Sequence, residues 1–182
     1  MKIFGIDPGS ERTGYGCVEQ SGGRHHLVVC GSLSAPATAT FPERLQHIHA
    51  GLAALLVECR PDGVAVESIF HARNVRSALK LAHARGVALL AASEAGLPVV
   101  EYAPTEIKRA VVGYGRAEKV QVQQMVKLLL SLERAPAPHD VADALAVAIC
   151  HLHTSTGAVG ETIRHHRRSR ATPRSWREYR PS

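Results

Sequence analysis

The stretch APAPHDVADALAVAICHLH, from Ala135 to His153, constrains the fold more than any other part of the chain. Past its prolines it becomes an almost unbroken apolar helical segment, and a helix that is apolar all round belongs inside a core. Yet Asp140 and Asp143 stand three residues apart on one helical face, which Ala144, Val147 and Ala148 roughly continue. A buried carboxylate is costly unless it is paired or coordinates a cation. The rest of the chain must therefore bring something to meet these two.

The remaining elements follow from local pattern. KIFGID (Lys2 to Asp7) reads as a strand stopped by Pro8-Gly9, and GVAVES (Gly63 to Ser68) as a buried strand ending at Glu67. TGYGCVEQ and HHLVVCGSLSA read as two more strands, joined by a hairpin through Ser21-Gly22-Gly23. Residues 42–59 form a helix with Pro42 in its first turn, and residues 75–95 a second, with Val75, Leu79, Ala82, Leu89 and Leu90 along its apolar stripe. PVVEYAP (Pro98 to Pro104) is another strand. Thr105 is expected to cap a short helix through Val112, and GYGR makes a loop. A helix over Glu118–Leu132, a linker over Ala135–Pro138 and the last helix, to about Thr154, complete the chain. A hairpin followed by alternating helix and strand predicts an α/β fold: one mixed sheet covered by helices, with no repeats and no second-domain boundary.

Asp7 and Glu67 each end an apolar strand. If those strands are neighbours and the last helix crosses their ends, Asp7, Glu67, Asp140 and Asp143 converge. Two carboxylates about 5 Å apart repel by about 3 kcal/mol at an effective dielectric of about 20. Four need protonation or cations. An all-oxygen donor set points to hard ions, two Mg²⁺ balancing the charge. Ions about 3.5–4 Å apart clamp the attacking and leaving oxygens of a phosphoryl displacement. The bland alternatives are a turn-initiating Asp7, a solvated Glu67 and an Asp140 that only favours the helix dipole. His139 is either a neighbouring imidazole or a ligand in place of Asp140. CHLH, from Cys150 to His153, is either a metal motif or, in Cys150, a small core residue.

Charge is unevenly placed. The net +6 lies wholly beyond residue 163, where seven arginines face Glu178 alone; that tail lacks apolar periodicity and is expected to be disordered, either solubilising or a nucleic-acid arm. Residues 73–119 hold eight basic side chains against four acidic ones, suiting an anionic polymer held beside a metal site. Scattered cysteines without a CxxC pair, the absence of an apolar run long enough to span a membrane, and a start unlike a signal peptide predict a cytosolic protein.

Four blocks, IFGIDPGSERTGYG, VAVESIFHARNVRSALKLAHARGVALLAA, EYAPTEIKRAVVGYGRAEKVQVQQMVKLLL and DVADALAVAICH, resemble in order the RuvC family of Holliday junction resolvases. The resemblance covers about residues 1–155. It implies a ribonuclease H-like fold, a five-stranded mixed sheet flanked by helices, in a nuclease domain over residues 1–156 with the basic tail at 157–182. It further implies a homodimer that nicks opposing strands of four-way DNA junctions symmetrically, using Mg²⁺ with Mn²⁺ able to substitute, and that works with a RuvA–RuvB branch-migration complex. Carried across, Asp7, Glu67, Asp140 and Asp143 fall on the family's acidic metal positions, Lys108 and Lys119 on its functional lysines, and Phe70 on an aromatic that stacks on junction bases. Arg73, Arg76, Lys80, Tyr114 and Arg116 are the further expected DNA contacts. Ser68 departs from the pattern, where glutamine is common. GIDPGS also resembles the phosphate loop of actin-like ATPases, but those need two such lobes and the chain has one. A non-catalytic DNA-binding module of the same fold would lack some of the acidic residues, and all four are present.

Overall fold

Strand alternation decides which side chains meet which helices. The computed structural model describes residues 1–68 and 74–157. Strands β1 (Lys2–Asp7), β2 (Thr13–Ser21), β3 (Arg24–Leu33), β4 (Gly63–Glu67) and β5 (Val99–Tyr102) form one sheet in the order β3-β2-β1-β4-β5. The first three are antiparallel, and β4 and β5 run parallel to β1. Gly22 and Gly23 both take positive φ, as the tight β2–β3 hairpin requires. Ile6 pairs with Val66, so Asp7 and Glu67 end adjacent strands at the same level.

The two faces of the sheet carry separate cores. Phe4, Ile6, Val64 and Val66 pack with Ile48, Leu52 and Leu56 of α1 (Phe41–Cys59) and with Ala84, Ala88, Ala91 and Ala92 of α2 (Val75–Glu94). Ile3, Val18 and Ala65 pack with Leu145 and Ile149 of α5 (His139–Gly157). Behind α5 stand α3 (Pro104–Val112) and α4 (Lys119–Leu129), through Ile107, Val111, Val122 and Val126. By alternation, Asp7 and Glu67 share the α5 face with Ile3 and Ala65.

Helix α5 lies directly on the strand backbone because three strand positions lack a side chain. A Cβ on Gly5 would stand 1.9 Å from the Ala144 carbonyl oxygen, one on Gly14 2.0 Å from that of Asp140, and one on Gly16 2.5 Å from Leu145 Cδ2. Glycine on the sheet and alanine on the helix set the depth at which the acidic end of α5 meets Asp7.

Three local expectations are revised. Ala103, not Thr105, is the N-cap of α3, and the Glu106 carboxylate accepts from its N–H at 2.7 Å with Pro104 in the first turn. Helix α4 stops at Leu129, short of Leu132, with Ser131 in the left-handed region at φ 51°. On α2, Val75, Leu79, Ala82 and Leu90 are exposed, and the inward face is the alanine ridge. Small residues let α2 approach the sheet and α1, leaving the larger apolar stripe outside.

Candidate active site

The polypeptide leaving β1 turns back at once into β2. Thr13, fully buried, donates its hydroxyl to the Gly9 carbonyl at 2.9 Å and accepts from the Gly9 N–H at 3.3 Å, closing the loop beyond Asp7. Asp7 therefore projects from a pinned strand end toward the first turns of α5. Glu67 projects beside it from β4. Asp143 is 22% exposed at the side chain, and the ammonium of Lys119, the first residue of α4, sits 3.3 Å from its Oδ2.

These groups act on one another. Asp7 is pushed up from 3.8 to about 8, first by burial and then by Asp143, Glu67 and Asp140, with Lys119 opposing. Burial and then Asp143 raise Glu67, against Lys119, Lys108 and Arg85. The Asp143 carboxylate in turn holds the Lys119 ammonium above its ordinary value. Asp7, Glu67 and Asp143 are the most strongly coupled, and Asp140 joins them through Asp7. Asp140 stands to one side, facing Arg12 Nη1 at 4.0 Å and each about half exposed or less. His139 is exposed at the start of α5. Lys108 and Lys119 line a small cavity of about 70 Å³ with Glu67, Asp143 and Ile107.

The donor set is entirely carboxylate oxygen, and its mutual repulsion calls for positive charge. That chemistry fits a hard divalent cation. Among the described residues no three His, Cys, Asp or Glu side chains already stand as a closed ligand cage. Lys119 is the counter-charge nearest Asp143 that the chain itself supplies, with Lys108 and Arg85 also acting on Glu67. CHLH is no competing metal motif: Cys150 is fully buried, His151 Nδ1 meets the Tyr102 hydroxyl at 3.0 Å, and His153 Nδ1 meets the Ala110 carbonyl at 2.8 Å.

The remaining expected contacts spread along the surface. Arg76, Lys80, Tyr114 and Arg116 are exposed, and Lys80 Nζ lies 5.9 Å from the centre of the Phe41 ring. A cavity of about 610 Å³ beside Arg12 and Asp140 shares Ser10 and Glu11 with one of about 260 Å³ that reaches Phe41, Arg44 and Lys80. Phe70, Arg73 and the basic tail lie outside the described residues. Ser68 closes the end of β4 onto β5, its N–H and hydroxyl both donating to the Tyr102 carbonyl, at 2.8 and 3.1 Å. Sequence reasoning missed Arg12 and Arg85 as neighbours of the site. Arg85 appears there only as one charge in a basic stretch, and nothing local distinguishes it.

A mixed sheet in this order, with carboxylates at the ends of two adjacent parallel strands under a crossing helix, defines a ribonuclease H-like fold with an acidic cluster at its strand ends. The family model for the crossover junction endodeoxyribonuclease RuvC matches residues 3–151, and the chain belongs to that family. RuvC of Syntrophomonas wolfei is 52% identical over 154 residues, covering 85% of this chain and 90% of that relative. The structure of Thermus thermophilus RuvC is similar at a TM-score of 0.79 and 38% identity, covering 87% of this chain and 97% of its own. T. thermophilus RuvC in complex with Holliday junction substrate is also similar at 0.79, with 35% identity and 86% and 96% of the two chains covered.

Proposed function

We propose that this chain resolves Holliday junctions as a homodimer, nicking opposing strands symmetrically by hydrolysis at the Asp7–Glu67–Asp143 centre with Mg²⁺ bound there. Membership of the RuvC family supports the endonuclease activity on crossover junctions. The observation that carries the site is the edge where three carboxylates share one helix-covered strand end, raising Asp7 to about 8.

Asp7, Glu67, Asp143 and Asp140, or His139 in place of Asp140, would hold the metal. Two Mg²⁺, or Mn²⁺ in their place, would supply Lewis-acid activation of water and neutralise charge at the scissile phosphate. Lys119 orients Asp143 and adds fixed positive charge where phosphate charge accumulates, and Lys108 does so from the adjoining cavity wall. The groove from Asp140 past Arg12 to Lys80 offers a track for the strand backbone, with Arg76 one turn from Lys80. Tyr114 and Arg116, both exposed, are the further proposed contacts to DNA. Phe70 stacks on an unpaired base near the crossover, as the family resemblance implies. A RuvA–RuvB branch-migration complex is the proposed partner.

Dimerisation is assigned to α2. Val75, Leu79, Ala82 and Leu90 form an exposed apolar stripe along one side of the helix, with Val75 77% exposed and Gly86 open beside it. A self-complementary stripe of this kind suits a two-fold contact, and two-fold symmetry places one site on each of two opposing strands. Leu79→Glu with Leu90→Glu is expected to give a folded monomer by light scattering. Its nicks should lose their pairing, and a variant that stays dimeric would remove α2 from the interface.

Lys119→Ala is expected to slow single-turnover nicking by about 10²-fold, the scale of losing one fixed transition-state donor. Its side chain is 71% exposed, so stability should change by less than about 1 kcal/mol. The direct test of the reading uses junctions labelled on each strand in turn. Nicks at equal distances from the crossover on two opposing strands, with ligatable ends, are expected. Nicks on all four strands, or on linear duplex equally, would refute it.

A further inference from the structure

Arg85 is a cation held almost out of water, with its side chain 12% exposed. It rises from α2 on the sheet face opposite the carboxylate centre. Its Nη2 pairs with Glu101 Oε2 of β5 at 2.6 Å, and its Nη1 donates to the main-chain carbonyl of Glu67. Ser68 ties the next residue to the Tyr102 carbonyl on β5. The peptide that follows Glu67 is therefore gripped from behind by the guanidinium and from the side by β5, while the carboxylate points forward to Asp7 and Asp143.

We infer that Arg85 is a positioning residue for the nuclease centre: by fixing the Glu67 peptide from the rear of the sheet, it sets the direction of the Glu67 carboxylate. This rests on the proposed nuclease reading and deepens it. The cation meets the main chain of Glu67, and its ion pair is with Glu101. A guanidinium suits the task because its planar fork serves the Glu67 carbonyl and the Glu101 carboxylate together, where an ammonium serves them as a point charge.

The test compares Arg85→Met, Arg85→Lys and Glu101→Gln with the parent protein, reading junction nicking, Mn²⁺ binding by electron paramagnetic resonance without DNA, and junction affinity in chelator. Arg85→Met should slow nicking and weaken Mn²⁺ binding, each by about 10-fold or more, the usual scale for groups that orient a metal ligand. Junction affinity should stay within about twofold. Arg85→Lys should recover part of both losses. Glu101→Gln leaves the Glu67 contact in place, so it should lower the melting temperature yet nick and bind Mn²⁺ nearly as the parent does. Parental nicking and Mn²⁺ binding in Arg85→Met overturn the inference, and so does Glu101→Gln losing as much activity as the Arg85 variants, which marks a purely structural ion pair. Should Arg85→Met not fold, Arg85→Lys against Glu101→Gln decides in the same way. A parent that nicks no junction would instead bring down the underlying functional reading, whatever the Arg85 variants do.

Discussion

Asp7→Asn is expected to abolish junction nicking while leaving junction binding intact, and to make the metal-free protein more stable at alkaline pH. Both effects have one cause. The folded chain holds the Asp7 carboxyl at about 8 instead of 3.8, because burial and three neighbouring carboxylates disfavour its charge. Between those values the native state keeps a proton that the unfolded chain has lost. Raising pH through that window therefore destabilises the metal-free fold, by up to about 1.4 kcal/mol per pH unit. The contribution is complete below the lower value and gone above the upper one. Glu67, raised by the same burial and by Asp143, adds in the same direction. An amide at position 7 removes the largest part. Urea unfolding in chelator, from about pH 5 to about pH 8, should show a steep fall in stability for the parent and a shallower one for Asp7→Asn. Equal slopes would mean that Asp7 carries no such burden, and retained nicking would remove it from the reaction.

Gly14→Ala should strongly damage both the fold and the site. The added methyl would meet the Asp140 carbonyl oxygen at 2.0 Å and its Cβ at 3.0 Å, both on the helix that carries the acidic pair. Backbone stands on both sides, so α5 must lift. Overpacking of this sort costs about 1–3 kcal/mol. Displacing Asp140 and Asp143 by even about 1 Å is expected to cost about 10²-fold in rate. Gly63→Ala on β4 is the control, since its nearest neighbours lie at 3.4 Å or beyond, in ordinary contact. Chemical denaturation and nicking rates on both variants check the point. A Gly14→Ala protein as stable and active as Gly63→Ala would show that helix depth does not set the site.

The sequence carries this site unevenly, for physical reasons. Asp7 and Glu67 are legible because each is an acidic residue closing a short apolar strand, a purely local signal. Asp143 is legible because a carboxylate on an otherwise apolar helix contradicts its surroundings. That the two strands lie side by side is a matter of topology, and the pattern offers it only as a condition. The inward face of α2 goes unread because alanines bury well but weigh little in any apolar stripe; of the stripe itself, Leu89 packs partly against the core while Val75, Leu79 and Leu90 lie outside. Thr105 resembles a cap in every local respect, yet Pro104 and Glu106 move the helix start to Ala103. Gly14 and Arg85 leave no mark in the sequence, since their partners at Asp140, Glu67 and Glu101 are brought near only by the fold. Phe70 and Arg73 rest on resemblance and composition, and lie outside the described residues.

The most direct test of the central claim is nicking of a synthetic four-way junction by the full chain, with Mg²⁺ and with chelator, beside a linear duplex of the same sequence. Paired nicks on two opposing strands of the junction alone are expected, appearing with Mg²⁺ and disappearing with chelator. Junction binding without nicking under Mg²⁺ or Mn²⁺, or nicking that persists in chelator, would contradict it.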